Sequence, residues 1–328
     1  MAVRSCRYLS RFAVLLMVVA GLSGCVFSPR QGPREDSGGG VSSEAALGDP
    51  RTLDPCSLLR PRSLEEFGRA EQAETVSLEY CLAHVRPRPG QLVQVSVGRP
   101  RRVEPRRLTE DNPVSRQDGL RLVREPPVPE HCTWRILFAD GVALRVDADS
   151  LSGEVSVGLC SLAEAGARQA AGIIDAGEVE HRRFPENSLA FVDPCALLST
   201  DVVNRVPGLE EAEAEGVLSG HTCRWGGETI RDPSVELTHT AGTPPRRKDA
   251  TSVVERTAGR RTVVDIVGDD PRVGLCSAET AHIPFGPSRS GQVEVAMLVV
   301  FLPEADGTRA CEFARGLAER VWPRLPHA

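Results

Sequence analysis

The chain has 328 residues, of which 41% are hydrophobic and 26% charged, enough apolar side chain to bury more than one core beneath a solvated surface. Its 45 acidic residues outnumber its 39 Lys and Arg, and that balance excludes the broad positive field with which proteins hold nucleic acid in bulk.

At the N-terminus, Arg4, Arg7 and Arg11 precede a short apolar run, residues 12–20 (FAVLLMVVA). A bilayer span needs about 20 such residues, so the run reads as the apolar centre of an export signal rather than a membrane helix. The stretch that follows, Leu22-Ser23-Gly24-Cys25, resembles the bacterial lipobox. That resemblance implies removal of residues 1–24 and a diacylglycerol on the Cys25 thiol. Acyl chains contribute about 0.8 kcal/mol per buried methylene, which would hold the protein on the extracytoplasmic face of the plasma membrane. Residues 1–24 carry three Arg and no acid, so the remainder is net −9. Residues 25–52 hold Gly, Ser, Pro and charge with few large apolar groups, and read as a flexible tether.

Next come the cysteines. Beyond Cys6 and Cys25 stand Cys56, Cys81, Cys132 and Cys160, then Cys195, Cys223, Cys276 and Cys311. The two sets of four have similar spacing, which marks an internal duplication. An even count in an exported chain implies disulfides. Four Cys allow three pairings per half; joining first to second and third to fourth closes the shorter loops. The expected architecture is α+β: a first repeat over 53–177, a linker over 178–188 (EVEHRRFPENS) and a second repeat over 189–328, each half able to fold alone.

The repeats can be followed element by element. "LDPCSLL" (53–59) and "VDPCALL" (192–198) each open a helix, with Asp54 or Asp193 as N-cap and Pro55 or Pro194 in the first turn, where a missing N–H costs nothing. A second helical turn is expected behind Ser63 (SLEEF) or Ser199 and Thr200, and Gly68 and Gly208 close these segments. Alternating, β-branched runs then correspond in order. Residues 76–85 answer 217–225, 91–98 answer 234–241, and 120–125 answer 261–268. The pair 131–138 and 141–148, joined by an Asp140-Gly141 hairpin, answers 275–282 and 292–301. Each half ends in an amphipathic helix beginning at its fourth Cys. Ala163, Ala167, Ala170 and Ile174 line one, and Ala314, Leu317, Ala318, Val321, Trp322 and Leu325 line the other. Cys-x-Trp occurs at Cys132–Trp134 and at Cys223–Trp225, the third and second Cys of their halves; we read that as coincidence.

The lipobox, DPC(S/A)LL, Cys-x-Trp in the second half and the final Cys311-Glu-Phe-Ala-Arg-Gly-Leu-Ala pattern together resemble a family of actinobacterial cell-envelope lipoproteins of unknown function. The single lysine, Lys248, among many arginines fits the GC-rich genome of such organisms. That family is distantly similar to extracellular sensor domains of actinobacterial kinases. The first half departs from it, with Tyr80-Cys81-Leu82 where Cys-x-Trp belongs. The resemblance implies an envelope location and the sensing of a ligand or partner, and it supplies no catalytic residue.

Chemistry-bearing motifs are sparse. There is no Cys-x-x-Cys, and Cys81 to His84, His131-Cys132 and His221 to Cys223 lack the paired spacing of a zinc site. Asp147-Ala148-Asp149 with Gly153 departs from a calcium loop, and GPSRSG (286–291) is not a nucleophile elbow. We expect no catalytic residue, metal or cofactor, and read Trp134, Trp225 and Trp322 as core. One feature recurs without a structural reason. RPRRVEPRR (99–107) and PPRRK (244–248) fall at the same place in each half, between the second and third strands. Arg101, Arg102, Arg106, Arg107, Arg246 and Arg247 are therefore candidate anion-binding residues, facing an envelope polymer, a lipid head group or a protein partner. The expected function is a membrane-anchored binding or sensing module, with a structural scaffold as the alternative and an enzyme less favoured.

Overall fold

The computed structural model describes residues 40–328, apart from 74–76, 228, 230, 268–272, 287–290 and 304. The export signal, Cys25 and residues 26–39 lie outside the described residues.

The alternating runs form two seven-stranded antiparallel sheets. The first contains β1 (Arg69–Gln72), β2 (Tyr80–Arg86), β3 (Val93–Arg102), β4 (Val114–Gln117), β5 (Leu120–Arg124), β6 (His131–Leu137) and β7 (Val142–Ser150), in the order β1-β2-β3-β7-β6-β5-β4. The second contains β8 (Ala214–Gly216), β9 (Thr222–Gly226), β10 (Ser234–Gly242), β11 (Val253–Thr257), β12 (Arg260–Ile266), β13 (Gly274–Pro284) and β14 (Val293–Leu302). Taken from the β8 edge its order is β8-β9-β10-β14-β13-β12-β11, the first order with seven added to every label. Helices are few: α1 (Ser43–Leu47), α2 (Pro105–Glu110), α3 (Leu159–Asp175), α4 (Pro194–Leu197), α5 (Thr200–Val203) and α6 (Gly307–Val321), with short 3-10 turns between them.

Strand periodicity decides which face is dry. Val95, Leu122, Ile136, Leu144 and Val146 share one core with Leu162, Ala163, Ala167 and Ala170 of α3. Small residues on α3 bring it close to the sheet: a Cβ at Gly166 would sit 3.1 Å from Val146 Cγ1. In the second half Leu237, Ala278, Leu298 and Val300 share a core with Ala314, Leu317, Ala318 and Trp322. Trp134 and Trp225 belong to these cores, on β6 and β9, which are not equivalent strands. Fully burying a Leu-sized side chain contributes about 1.5–3 kcal/mol, and the two apolar clusters are the main stabilising mass.

The four bridges are Cys56–Cys81, Cys132–Cys160, Cys195–Cys223 and Cys276–Cys311, the pairing that closes the shorter loops. Each joins a helical segment to a strand of the same half. Asp54 accepts from the Cys56 amide at 3.0 Å and Asp193 from the Cys195 amide at 2.9 Å, so both Asp-Pro-Cys stretches are capped turns. The first is a 3-10 turn, Pro55–Leu58, and the second is the four-residue α4.

Several expectations need correcting. Ser63 caps nothing; it lies inside a 3-10 helix, Pro61–Phe67, that begins after Arg60, and its hydroxyl donates to the Arg60 carbonyl at 2.9 Å. α6 begins four residues before Cys311, because Asp306 supplies its cap. Four edge strands, β1, β4, β8 and β11, were not anticipated. They are short and largely polar, so they carry no core periodicity of their own.

The tether ends earlier than its composition suggests. Ser43 donates through its amide and hydroxyl to Asp140, the Ala139 amide donates to the Val41 carbonyl, and Leu47 enters the first core. Residues 178–188 are likewise held rather than loose. Arg182 pairs with Asp54 at 2.8 Å, its amide donates to the Thr52 carbonyl, and the Asp54 amide donates to the Glu180 carbonyl. Phe184 stacks on Phe285 and meets Phe191 edge-on, beside a small apolar cluster of Leu78, Ala190 and Ala241 drawn from both halves.

Candidate functional site

The Arg101–Arg102 pair is not in a loop. Both residues extend β3 beyond a bulge and pair with Ala143 and Val142 of β7. The bulge is built on close backbone approach: Gly98 has φ 137°, and a Cβ there would lie 2.2 Å from the Glu79 carbonyl oxygen. Arg99 follows in the left-handed region with its guanidinium over the Tyr80 ring, 4.1 Å from the centroid. The chain is thereby re-aimed, which is the ordinary use of a bulge next to a site.

Arg101 and Arg102 open onto a cleft of about 780 Å³ lined by both halves. The first half contributes Arg101, Arg102, Val103 and Arg135; the second contributes residues 215–218, Thr222, Arg224 and Glu236. On β6, β9 and β10, Arg135, Thr222, Arg224 and Glu236 alternate with core residues Trp134, Ile136, Cys223, Trp225, Val235 and Leu237. They therefore stand on the sheet faces opposite the apolar cores. The cleft lies between the polar faces of the two sheets.

Its charges are ordered. Arg135 pairs with Glu125, and Arg224 pairs with Glu236 at 2.8 Å. Arg102 is exposed, and its guanidinium has no hydrogen-bond or ion-pair partner among the described residues. Four Arg and two Glu line the walls, so the cleft is locally positive on a chain that is net negative.

Behind one wall sits Glu79, only 8% exposed. Its carboxylate accepts from Ser219 Oγ at 2.7 Å and from Thr222 Oγ1 at 3.2 Å, both in the other half. Thr222 continues to Thr238 at 3.1 Å, and Thr238 donates to Glu236 at 3.0 Å. Loss of solvent pushes the Glu79 carboxyl above the usual glutamate range, while those two hydroxyls, Arg101 and Arg99 pull it back.

Beside this seam the second half carries three buried imidazoles, His239 on β10, His282 on β13 and His221 just before β9. His239 lies 3.1 Å from the carbonyls of both Leu189 and Val192, and His282 2.7 Å from that of Asn187. Glu294 accepts from Ser188 Oγ at 2.5 Å and from the Leu189 amide at 2.7 Å. His221 faces main-chain groups of Arg51 and Ala190 without a well-formed hydrogen bond. Burial holds His221 and His239 down at about 4, and burial raises Glu294. Among the described residues no three His, Cys, Asp or Glu converge to hold a metal ion.

The remaining candidates lie elsewhere. Arg106 and Arg107 are on α2, where Arg106 pairs with Glu110 at 2.9 Å, and neither lines the cleft. Arg246 and Arg247 are exposed between β10 and β11, and Arg247 donates to the Asp249 carbonyl. The Asp147–Asp149 pair is already partnered: Arg145 lies 2.7 Å from Asp147, and the His131 ring is in hydrogen-bond contact with Asp149 at 2.6 Å. Arg135, Arg224 and Glu79 carry no local sequence signal, since only the packing of one half on the other brings them to the cleft. Among the described residues no helix is long and apolar enough to cross a membrane. Comparison with protein-family models, curated proteins and solved structures finds no match to this chain.

Proposed function

We propose that the chain is an extracytoplasmic lipoprotein, held to the plasma membrane through Cys25, that binds an anionic component of the cell envelope. It acts as a binding or sensing module, not as an enzyme. The reading takes the body as two tandem copies of one α+β unit, each a sheet covered by its N- and C-terminal helices and stapled by two bridges. The matching strand orders support it. One observation carries the functional part: the polar faces of the two sheets bring Arg101, Arg102, Arg135 and Arg224 around one cleft. Guanidinium groups present planar, paired donors suited to phosphate or carboxylate oxygens, and charge-assisted hydrogen bonds are roughly twice as strong as neutral ones.

The ligand chemistry is a phosphate-type oxyanion, either free or on a lipid head group. Detergent-purified full chain is titrated with inorganic pyrophosphate in one arm and mixed with phosphatidylglycerol vesicles in the other. Binding at low salt that weakens as screening shortens the range of exposed charges supports the reading. Pyrophosphate alone identifies a soluble or polymer-borne anion, and vesicles alone identify a head group. Binding in neither arm overturns it.

A further inference from the structure

The cleft has a titratable group in its wall that bare anion binding does not need. Thr222, which lines the cleft, and Ser219 both donate to Glu79. On the other side Glu79 meets the positive field of β3, from Arg99 and Arg101, and Arg101 is itself a cleft residue. On its own segment the Ser77 hydroxyl accepts from the Glu79 amide at 2.9 Å. Among the described residues the groups that donate to Glu79 from the second half are uncharged hydroxyls, and the Thr222 hydroxyl leads on through Thr238 to Glu236, which is paired with Arg224 at 2.8 Å. The ionised form of this carboxylate, 8% exposed, is favoured first by the two hydroxyls and then by Arg101 and Arg99 of β3, of which Arg99 is shared with Asp147 at 3.9 Å.

Resting on the reading of the cleft as an anion site, we propose that capture of an oxyanion at Arg101 is accompanied by protonation of Glu79. An anion against Arg101 offsets the part of the positive field that favours ionised Glu79, and it adds a negative charge of its own nearby, while the two hydroxyls can still donate to the neutral carboxyl's carbonyl oxygen. Both effects favour the neutral carboxyl. One proton from solvent goes onto a Glu79 oxygen as the anion arrives, and it is released when the anion leaves. By linkage, binding strengthens as pH falls, by up to about tenfold per pH unit where one full proton is coupled. The device makes the cleft a joint sensor of anion and acidity. Two neutral hydroxyls of one half hold a carboxylate of the other, so the proton also reports on the seam between them.

The test uses inorganic sulfate, an oxyanion that does not itself titrate in the range examined, and the detergent-purified full chain. Calorimetry in buffers of different ionisation enthalpy counts protons taken up per sulfate bound, from pH 5 to pH 8. The expected result is uptake of a substantial fraction of a proton and an affinity that rises on acidification. Glu79→Gln, which still accepts from Ser219 and Thr222, is expected to bind sulfate with no proton uptake and a flat pH profile. Infrared difference spectra of the unmutated chain should gain a protonated-carboxyl band on sulfate addition, a readout independent of the variant's folding. Binding without proton uptake, or uptake that persists in Glu79→Gln, overturns the coupling and leaves the cleft as an anion site. Absence of sulfate binding in the unmutated chain overturns both.

Discussion

Ser219 Oγ donates to the Glu79 carboxylate at 2.7 Å, joining residues from opposite halves of the chain in a place where neither is wet. A buried acid with two donors is stable only while both remain, because an unsatisfied buried polar group costs more than a hydrogen bond gains. Ser219→Ala is expected to lower unfolding free energy by about 1–3 kcal/mol in denaturant titration. In the unmutated chain both halves should unfold in one transition, because the seam joins them. Residues 189–328 alone should melt lower than the whole chain, with Ala190, Ala241 and His221 uncovered. An unchanged midpoint in the variant, or two separate transitions in the whole chain, would contradict the seam's role.

Acid should loosen the second half through its imidazoles. Unfolded, His221 and His239 take protons near pH 6.5; folded, burial keeps them neutral down to about 4. Between those values the unfolded chain binds more protons, so their contribution falls as pH drops from 6.5 towards 4 and is level outside that window. Glu79 and Glu294 act in the opposite sense. Their raised carboxyls contribute stability that is full below about pH 4.5 and lost as pH rises through their folded values. His221→Leu separates the terms, because both ring nitrogens lack a well-formed hydrogen bond. At about 1.36 kcal/mol per unit, the stability lost between pH 7 and pH 5 should be about 2 kcal/mol smaller in the variant. An equal acid loss in both proteins would remove His221 from the account.

Much of the fold was legible. Val95, Val97, Leu144 and Val146 alternate with polar neighbours, and strands of that kind announce themselves. The edge strands did not, because residues such as Ala214 and Glu215 are exposed and their pairing comes from the neighbour. Nothing local in the linker 178–188 shows that Arg182 and Phe184 have partners far away in sequence. Leu47, isolated among small residues, gave no sign of reaching the core. The site was half legible. Arg101 and Arg102 stood out as a basic cluster, yet their place on a strand depends on the bulge at Gly98, and Arg135, Arg224 and Glu79 join them only through tertiary packing.

Gly98 should be intolerant of any side chain. At φ 137°, with backbone oxygen 2.2 Å from a notional Cβ, Gly98→Ala must shift β3 away from Glu79. A loss of more than about 2 kcal/mol is expected, the sum of strain and a displaced strand. Anion binding should weaken along with stability, since Arg101 follows the bulge. A variant that melts like the unmutated chain would show the bulge to be adaptable.

The bridges should act within halves. Cys132→Ala with Cys160→Ala removes a link between β6 and α3 and is expected to cost about 2–4 kcal/mol. Peptide mapping without reduction should yield the four observed pairs and no bridge across residue 180. Free thiols, or a link between halves, would contradict the fold.

Anchoring rests on the lipobox alone. Metabolic labelling with an alkyne fatty acid should tag the unmutated chain and leave Cys25→Ala unlabelled in the soluble fraction. Equal labelling of both would place the lipid elsewhere.

The proposed anion site is the cleft, not exposed basic sequence in general. Two paired variants with the same charge change separate these: Arg101→Gln/Arg102→Gln in the cleft, and Arg106→Gln/Arg107→Gln on α2. Each is compared with the unmutated full chain by calorimetric titration of pyrophosphate at low and at high salt. The cleft pair is predicted to lose binding by tenfold or more, about 1.4 kcal/mol or greater, while still unfolding in a cooperative transition. The α2 pair is predicted to bind within twofold of the unmutated chain. Equal weakening in both pairs, or full binding by the cleft pair, would contradict the account.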